Sequence, residues 1–593
     1  MGLEKNKDII ILGLSFGYHD SAACILRNGR LLCAVQEERF TRIKHDKVFP
    51  EKSIEFCLKN KGIKLEDINK VVYYENPYKK FNRILLNSLS YSKFKSLLKI
   101  VDDWIVNEKF NPINQISKKL NISESRIFFC DHHTSHAASA YFNSGFDNAL
   151  ILTIDGVGEF ETSTLCLGEK GDIKKLISSN FPNSIGLFYS TFTSFLGFEV
   201  NEGEYKIMGM AGFGKPKYYD DVKKLIFVKK GRIFLKQSFF NFSLNSEKPF
   251  TKKFEKIFGK PRNPNSEFGI ESDDIATKEN NMRFADIASS VQKVTEDIII
   301  EVLKFATSKI KSKNIVLAGG VALNGLANRK IQKVFNDYNL YVYPSPGDSG
   351  CAVGCAQYFV SSILKDDILP SNNIFLGNSI SKKELDDIKS FYPKNKITTF
   401  KSNDLLTDFI SKKIFNGNII GWYQGSEEWG PRALGARSIL ANPCDKNIQR
   451  KVNLVVKYRE IFRPFAPSVI IERASEYFDL NNSINQFSPE NFMLTVSDVK
   501  KKAIKEAPAI VHVDNTARVH TVSKKLNPLF YSLIYKFGEI SKTPILLNTS
   551  FNLKGEPIVS SVRDAFRTFE LSNIDYLVIG KDVFTKTNVF NAN

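Results

Sequence analysis

No stretch of this chain is apolar for long enough to span a membrane. The apolar part of the opening, "DIIILGLSF", is short and has no cleavage pattern after it, so it reads as a first strand. Paired metal-type cysteine spacing is also missing. The eight cysteines (Cys24, Cys33, Cys57, Cys130, Cys166, Cys351, Cys355 and Cys444) are scattered, which excludes a zinc ribbon and a disulfide framework and fits reduced, packed thiols in a cytoplasmic protein. "SGCAVGCAQY" reads as the small-residue face of a buried helix. Acidic residues are outnumbered, 64 against 83 Lys and Arg, for a net charge of +19. Yet no dense basic stripe with interleaved aromatics appears, so neither nucleic acid nor membrane is expected as a partner. Histidine is scarce too: there are seven, and three of them fall within "DHHTSHAASAY".

What is present is the composition of a folded protein, 42% apolar and 25% charged over 593 residues. One core stops growing near about 250–300 residues, so at least two domains are expected. The opening gives a strand, a small-polar loop (Gly17 to Ser21), a second apolar run, the turn Asn28-Gly29 and a third run. "NALILTIDGVGEFETSTLCLGEKGDIKKL" repeats that pattern about 140 residues later, which predicts a duplicated half. "NIVLAGGVALNGLANRKIQKVF" and "LYVYPSPGDSGCAVGCAQYF" then give strand, Gly-rich loop and helix, joints whose outward N–H groups attract phosphate. The segment Phe234 to Asn281 reads as an insertion or lid loop. The boundaries expected are a first domain over 1–365, a linker over 366–385 and a second α/β domain over 386–593.

Ala and Ser after the histidines predict a helix, which puts His132 and His136 at i and i+4 on one face, able to share a metal ion. Protease-type zinc would want Glu beside the first histidine, and His133 stands there instead. Asp155 and Asp348, in loops after strands, complete a set of two histidines and two aspartates that suits iron or another divalent ion. The competing reading is a helix-capping cluster. His19, in the first loop, has the chemistry of a general base on an alcohol, or of a loop histidine bonded to backbone. Lys44 follows in "RIKHDK". In the second half Arg432, Lys457, Arg463 and Arg518 sit in three segments and the loop before them, and Asn548 and Ser550 end a strand, so this half is expected to bind an anion rather than form surface ion pairs.

These motifs together resemble the NodU/CmcH-type O-carbamoyltransferase family from end to end. The resemblance is carried by "GYHDSAA", "EERFTRIKH", "HHTSHAASAY", "TIDGVGE", "GEYKIMGMAGFGKP", "AGGVALN", "SPGDSGCAVG", "GPRALGARSILANP", "KYREIFRPFAPSV", "HVDNTARVHTV" and "LLNTSFNLKGEPIV". It implies an N-terminal domain of the duplicated actin/hexokinase kind, similar to tRNA threonylcarbamoyl-transferases, and a YrdC-like C-terminal α/β domain. It also implies an enzyme that makes carbamoyl adenylate from carbamoyl phosphate and ATP, with Mg²⁺ accompanying ATP. The carbamoyl group then passes to a hydroxyl of a small molecule or sugar (natural product, toxin or glycan), releasing AMP. On this resemblance Fe²⁺ or another divalent metal falls to His132, His136, Asp155 and Asp348, and His19 deprotonates the acceptor. The nucleotide of the transfer site meets Lys44, Glu204, Lys206, Gly209, Gly319, Gly320 and Asn324, while Arg432, Lys457, Arg463, Arg518, Asn548 and Ser550 handle carbamoyl phosphate and ATP, with Arg432 and Lys457 catalytic. A homodimer stays open, and acceptor identity is left to loops. The alternatives are a tRNA threonylcarbamoyl-type enzyme, a kinase of the actin/hexokinase class, and an assembly factor that has kept only the fold.

Overall fold

The computed structural model describes residues 8–90, 111–243, 248–264, 266, 268, 275–457, 465–480, 484, 485 and 487–586. It divides into two compact units. The first holds Met1–Glu37 with His45–Ser371, and the second holds Glu38–Lys44 with Asn372–Asn593.

The first unit contains one sheet twice. Strands β1 (Ile10–Ser15), β2 (Ala22–Arg27), β3 (Arg30–Gln36), β4 (Lys70–Tyr73) and β5 (Ile127–Phe129) lie in the order β3-β2-β1-β4-β5. Strands β6 (Asn148–Ile154), β7 (Glu161–Glu169), β8 (Asp172–Asn180), β11 (Asn314–Ala318) and β12 (Asn339–Val342) lie in the order β12-β11-β6-β7-β8, the same path through a second sheet. In each sheet the first three strands are antiparallel and the last two run parallel to the first. Both first hairpins close on two residues with positive φ: Asn28 (49°) and Gly29 (73°), then Lys170 (50°) and Gly171 (76°). That is the twist-matched geometry for a two-residue hairpin. The duplication read from the recurring hairpin is therefore the architecture of the unit, the duplicated α/β class expected.

Four helices place the chemistry. In the first repeat α1 (Pro77–Ser90) follows β4 and α2 (His132–Ser144) follows β5. In the second, α3 (Gly325–Val334) follows β11 and α4 (Asp348–Tyr358) follows β12. Helices α2 and α4 hold equivalent positions and cross closely: a Cβ on Gly354 would lie 1.8 Å from the Ser135 carbonyl oxygen. A Cβ on Gly13 of β1 would lie 2.0 Å from the Ala352 carbonyl. The small residues of α4 thus let two backbones approach it.

The segment Phe234–Asn281 is not a loose lid where it is described. It contributes the end of the hairpin β9 (Ile226–Lys229) and β10 (Arg232–Leu235), and a helix Lys252–Phe258 whose Phe254 and Phe258 are buried against Phe192 and Phe195. Its aromatic residues pack with those of the helix Ile185–Phe195 as a small core.

The second unit is built on a mixed eight-stranded sheet. Its strands are β13 (Ile397–Thr399), β14 (Ile420–Tyr423), β15 (Arg437–Ala441), β16 (Ala466–Ile470), β20 (His520–Val522), β21 (Ile545–Ser550), β22 (Tyr576–Ile579) and β23 (Asp582–Thr585), in the order β13-β23-β22-β14-β15-β21-β16-β20. A small sheet adds β17 (Phe478–Asp479), β18 (Ser497–Val499) and β19 (Thr516–Ala517). Alternate residues feed two cores: Ile439, Ala441, Ile545 and Leu547 go to one face, and Leu440, Trp422 and Leu546 to the other. The short segment Glu38–Lys44, expected within the first domain, belongs to this unit. Arg39 donates to the Gly430 carbonyl (2.8 Å) and pairs with Glu427 (3.3 Å), and Arg42 donates to the carbonyls of Pro557 (2.7 Å) and Ile558 (2.6 Å). Lys44 lies in it, which places that residue outside the unit whose nucleotide site it was expected to join.

Candidate functional site

In the first unit the strand ends and helix starts of both repeats converge. His132 is the first residue of α2 and Asp348 the first of α4. His136 follows one turn into α2, and Asp155 directly follows β6. The His132 Nε2 lies 3.1 Å from His136 Nε2 and 2.9 Å from Asp155 Oδ2, and His136 Nε2 lies 3.3 Å from the same oxygen. Asp348 Oδ1 stands 3.8 Å and 3.5 Å from the two imidazole nitrogens, buried and without a hydrogen bond. Two ring nitrogens and two carboxylate oxygens therefore point at one spot.

That crowding matches an ion's coordination shell. Ligand atoms held about 2.1 Å from a divalent ion stand about 3.0–3.4 Å from one another. Two imidazoles and two carboxylates are a mixed N/O donor set of the kind that takes iron or a similar divalent ion. Cys351 Sγ also lies close to both histidines, but burial pushes its thiol up to about 12, so it offers no thiolate of its own. Burial disfavours the charged form of His132 and His136. Even so, the carboxylates of Asp348 and Asp155 raise His132, and Cys351 and the same two carboxylates raise His136. Burial likewise opposes Asp155, and the two imidazoles outweigh it and hold Asp155 well below the usual range.

The capping reading of the histidine cluster fails on the geometry. The start of α2 is capped by Glu159, whose carboxylate accepts from the His132 backbone N–H at 2.9 and 3.2 Å, while Asp131 is spent on Lys79 (2.7 Å). The third histidine is structural. His133 Nε2–H donates to the Glu161 carbonyl (3.0 Å) and Nδ1 accepts from the Thr153 hydroxyl (2.7 Å), and burial keeps the ring neutral.

His19 reaches the same place from the first repeat, with Nε2 3.7 Å from Asp348 Oδ2. Its Nδ1 faces Asp20 (2.9 Å), whose other oxygen faces His45 Nδ1 (2.7 Å). Burial disfavours a charged His19, yet Asp348 and Asp20 prevail and push it up to about 10. Burial opposes ionisation of Asp20 as well, and its two imidazoles hold it far below the usual range. Asp20 and His45 both adopt positive φ, 53° and 55°, so the backbone is bent to make this chain of three side chains. Asp20, His45, Glu159 and Cys351 were not singled out from the sequence as site members.

On the second repeat's side, the Gly320 N–H donates to Asp155 Oδ1 at 3.2 Å. A Cβ on Gly319 would lie 2.1 Å from the Ile154 carbonyl, so glycine is needed where this joint passes the end of β6. Asn324 caps α3 through Ala327 N–H (3.1 Å) and pairs with Gln292 (2.9 Å). Glu204 accepts from Ser190 (2.9 Å) and from the Asn201 N–H (3.1 Å), Lys206 lies over the Phe198 ring at 5.5 Å, and Gly209 is inside the helix Glu204–Ala211.

The second unit gathers its own polar group. Glu428 Oε1 accepts three backbone N–H groups, from Leu434 (2.7 Å), Ala436 (2.7 Å) and Arg437 (3.1 Å), which closes the loop that carries Arg432. Burial holds Arg518 well below the usual guanidinium range, and neighbouring Arg432 lowers it further. Lys457 is buried at the end of β21, donating to Ser550 Oγ (3.2 Å), Asn552 Oδ1 (2.7 Å) and the Ser550 carbonyl. Asn548 donates to the Ala433 carbonyl (3.1 Å) and to Ser468 Oγ (2.9 Å), with Ser468 in turn on His520 (2.8 Å), and its Oδ1 is buried without a partner. Asn552, Ser468 and His520 were not expected. Arg463 lies outside the described residues.

Comparison with known proteins agrees with this division. The family model "Carbamoyltransferase N-terminus" matches residues 10–357, and "Carbamoyltransferase C-terminus" matches residues 411–586. An uncharacterized protein of Synechocystis sp. is 36% identical over 97% of each chain. The nodulation protein NolNO of Sinorhizobium fredii is 33% identical over 96% of this chain and 79% of its own, and the nodulation protein NolO of Bradyrhizobium diazoefficiens is 34% identical over 76% of this chain and 78% of its own. Among solved structures, full-length HypF covers 62% of this chain at 13% identity with a TM-score of 0.30, too low to bear on the argument. The chain is an enzyme of the NodU/CmcH-type carbamoyltransferase family.

Proposed function

We propose that the enzyme is an ATP-dependent O-carbamoyltransferase working in two steps. The second unit forms carbamoyl adenylate from carbamoyl phosphate, water and ATP: water cleaves carbamoyl phosphate to carbamate and phosphate, and the carbamate oxygen displaces pyrophosphate from the α-phosphorus of ATP. The first unit passes the carbamoyl group to a hydroxyl of a small-molecule or sugar acceptor and releases AMP. The observation that carries the reading is the convergence of His132, His136, Asp155, Asp348 and His19, from both repeats, on one buried spot in a carbamoyltransferase chain.

In the second unit Arg432 and Arg518 face the anionic groups of carbamoyl phosphate and ATP, and Lys457, held by Ser550 and Asn552, supplies a fixed positive charge at the strand end. In the first unit the Gly319–Gly320 joint receives the adenylate, with the start of α3 behind it. His132, His136, Asp155 and Asp348 would hold Fe²⁺ or another divalent ion, which would supply positive charge against Asp348 and against the departing phosphate. With a cation's charge offsetting Asp348, the carboxylate that raises His19 most, the ring would be neutral; oriented by Asp20, it takes the proton of the acceptor hydroxyl as the new C–O bond forms and the bond to AMP breaks.

The test is incubation of the full chain with ATP, carbamoyl phosphate and Fe²⁺, without acceptor, followed for pyrophosphate and for the mass of carbamoyl adenylate. Both are expected. His19→Ala should spare them and stop transfer, and Arg432→Ala should stop pyrophosphate release. ADP as the nucleotide product, or turnover that depends on threonine, would replace this reading with a kinase or a threonylcarbamoyl enzyme. Undiminished pyrophosphate release by Arg432→Ala would break the assignment of the two steps to the two units.

A further inference from the structure

The two repeats share a path but not a surface beside the site. In the second repeat the joint from fourth strand to helix carries Gly319–Gly320, the place assigned above to the nucleotide. The equivalent joint of the first repeat, between β4 and α1, has no glycine. It carries Glu75, and α1 then presents Lys80 and Arg83 three residues apart on one face. Lys80 is spent on Glu75, which also accepts from the Tyr73 hydroxyl (3.1 Å). Arg83 is not spent. Among the described residues no hydrogen bond or ion pair reaches its guanidinium, its Nε is buried without a partner, and the group lies 5.5 Å above the Phe181 ring. Burial depresses this guanidinium, with Glu75, Tyr18 and Glu159 near enough to act on it, so it stands beside the residue that caps α2. Between Arg83 and the reacting spot lies Tyr18. Its ring is 4.7 Å from that of His19, has Lys80 5.9 Å away, and is 49% exposed.

A half-buried guanidinium with carboxylates nearby but none in hydrogen-bonding contact is costly unless a ligand supplies that contact. An exposed aromatic face beside the base takes the apolar face of a ring. Resting on the two-step transfer reading above, we infer that the acceptor is an anionic sugar. Its ring lies on Tyr18 with a hydroxyl toward His19, and its carboxylate or phosphate is gripped by Arg83. The nucleotide occupies the glycine joint of the other repeat, so the equivalent joint of the first repeat is left to the acceptor.

The test is a ligand-observed NMR titration of the full chain with three probes of one ring: methyl β-glucoside, methyl β-glucuronide and glucose 6-phosphate. At least one anionic probe should bind wild type about ten- to hundredfold more tightly than the neutral one, the range of a paired charge-assisted contact. Which anion wins tells carboxylate from phosphate. Arg83→Leu should erase the preference and Arg83→Lys should keep part of it. Equal binding of all three probes by wild type overturns the inference, as does a preference that survives Arg83→Leu. AMP displacing the anionic probe from wild type but not from Arg83→Lys would give Arg83 to the nucleotide and also overturns it. If Arg83→Leu does not fold, Tyr18→Leu decides, since it should weaken all three probes alike and leave the anion preference intact. Wild-type turnover keeps the two readings apart: carbamoyl adenylate without an anion preference fails only the acceptor inference, and an anion preference without carbamoyl adenylate fails only the transfer chemistry.

Discussion

Gly354→Ala separates local propensity from tertiary geometry, because the two predict opposite signs. Gly354 lies inside α4, where alanine would ordinarily stabilise a helix by about 1 kcal/mol. Here the added Cβ would lie 1.8 Å from the Ser135 carbonyl oxygen and 2.7 Å from the Ser139 nitrogen, and real contacts of this kind begin near 3.0 Å. Both obstacles are backbone of α2, so no side chain can swing aside. The helices must part by about 1.2 Å, the difference between 3.0 and 1.8. Overpacking of this kind costs about 1–3 kcal/mol and outweighs the propensity gain, so melting should fall by a few degrees. The larger effect falls on the site. Asp348 begins the displaced helix, 3.5 and 3.8 Å from the imidazoles on the other one. Such sites tolerate displacements of only about 0.5 Å. Affinity for Fe²⁺ or Mn²⁺, measured by anaerobic calorimetry, should drop roughly 10–100-fold. A variant that melts higher than wild type and binds metal unchanged would refute the close crossing and the shared ligand set together.

The three clustered histidines should divide by role. His132→Ala should abolish metal binding, whereas His133→Leu should destabilise the fold by about 1–3 kcal/mol, by removing two buried hydrogen bonds, to the Glu161 carbonyl and the Thr153 hydroxyl, while metal stoichiometry stays at the wild-type value; equal loss of metal in both would undo the division. Glu428→Ala should release three backbone N–H groups, costing about 2–4 kcal/mol in denaturant melts and ending pyrophosphate release. Burial lowers His520 to about 3 in the folded protein, against 6.5 when exposed. The unfolded chain therefore binds the extra proton first, and this part of the stability is complete above about pH 6.5 and lost as pH falls below it, by up to about 1.4 kcal/mol per pH unit. Urea melts across that range should show the slope, and His520→Gln should flatten it by one proton; an unchanged slope would mean that His520 titrates while folded. Asp20→Asn and His45→Gln should lower the rate constant for transfer about tenfold and leave the acceptor KM near its wild-type value, as positioning residues do; a rise in KM alone would make them binding groups.

The duplicated sheet was legible because its signal is local. Asn28-Gly29 and Lys170-Gly171 each close a two-residue hairpin, and the backbone demand is met by the residues themselves. The pairing of His132 with His136 was legible for the same reason, since helical spacing alone puts them on one face. Asp155 and Asp348 were legible only as carboxylates in loops after strands, because no local rule brings the end of β6 to the starts of two helices. Glu159 and Glu428 were missed because their partners are backbone N–H groups, and Asp20 and Asn552 because each also bridges to a side chain far away in sequence, His45 and Lys457, where spacing carries no signal. The helix within Phe234–Asn281 was not legible, because its Phe254 and Phe258 are buried against Phe192 and Phe195, which lie far away in sequence. The site itself follows from the duplication. His132 and Asp348 are the first residues of the same helix in the two repeats, and crossing those helices through Gly354 makes the pair meet. A duplication with identical residues at both places would have offered an ion two imidazoles or two carboxylates; divergence at one equivalent position gave one of each. The adjoining joints diverged by the same logic, glycine on the side assigned to the nucleotide and Arg83 on the side assigned to the acceptor. The two substrates then meet between groups that began as copies of each other.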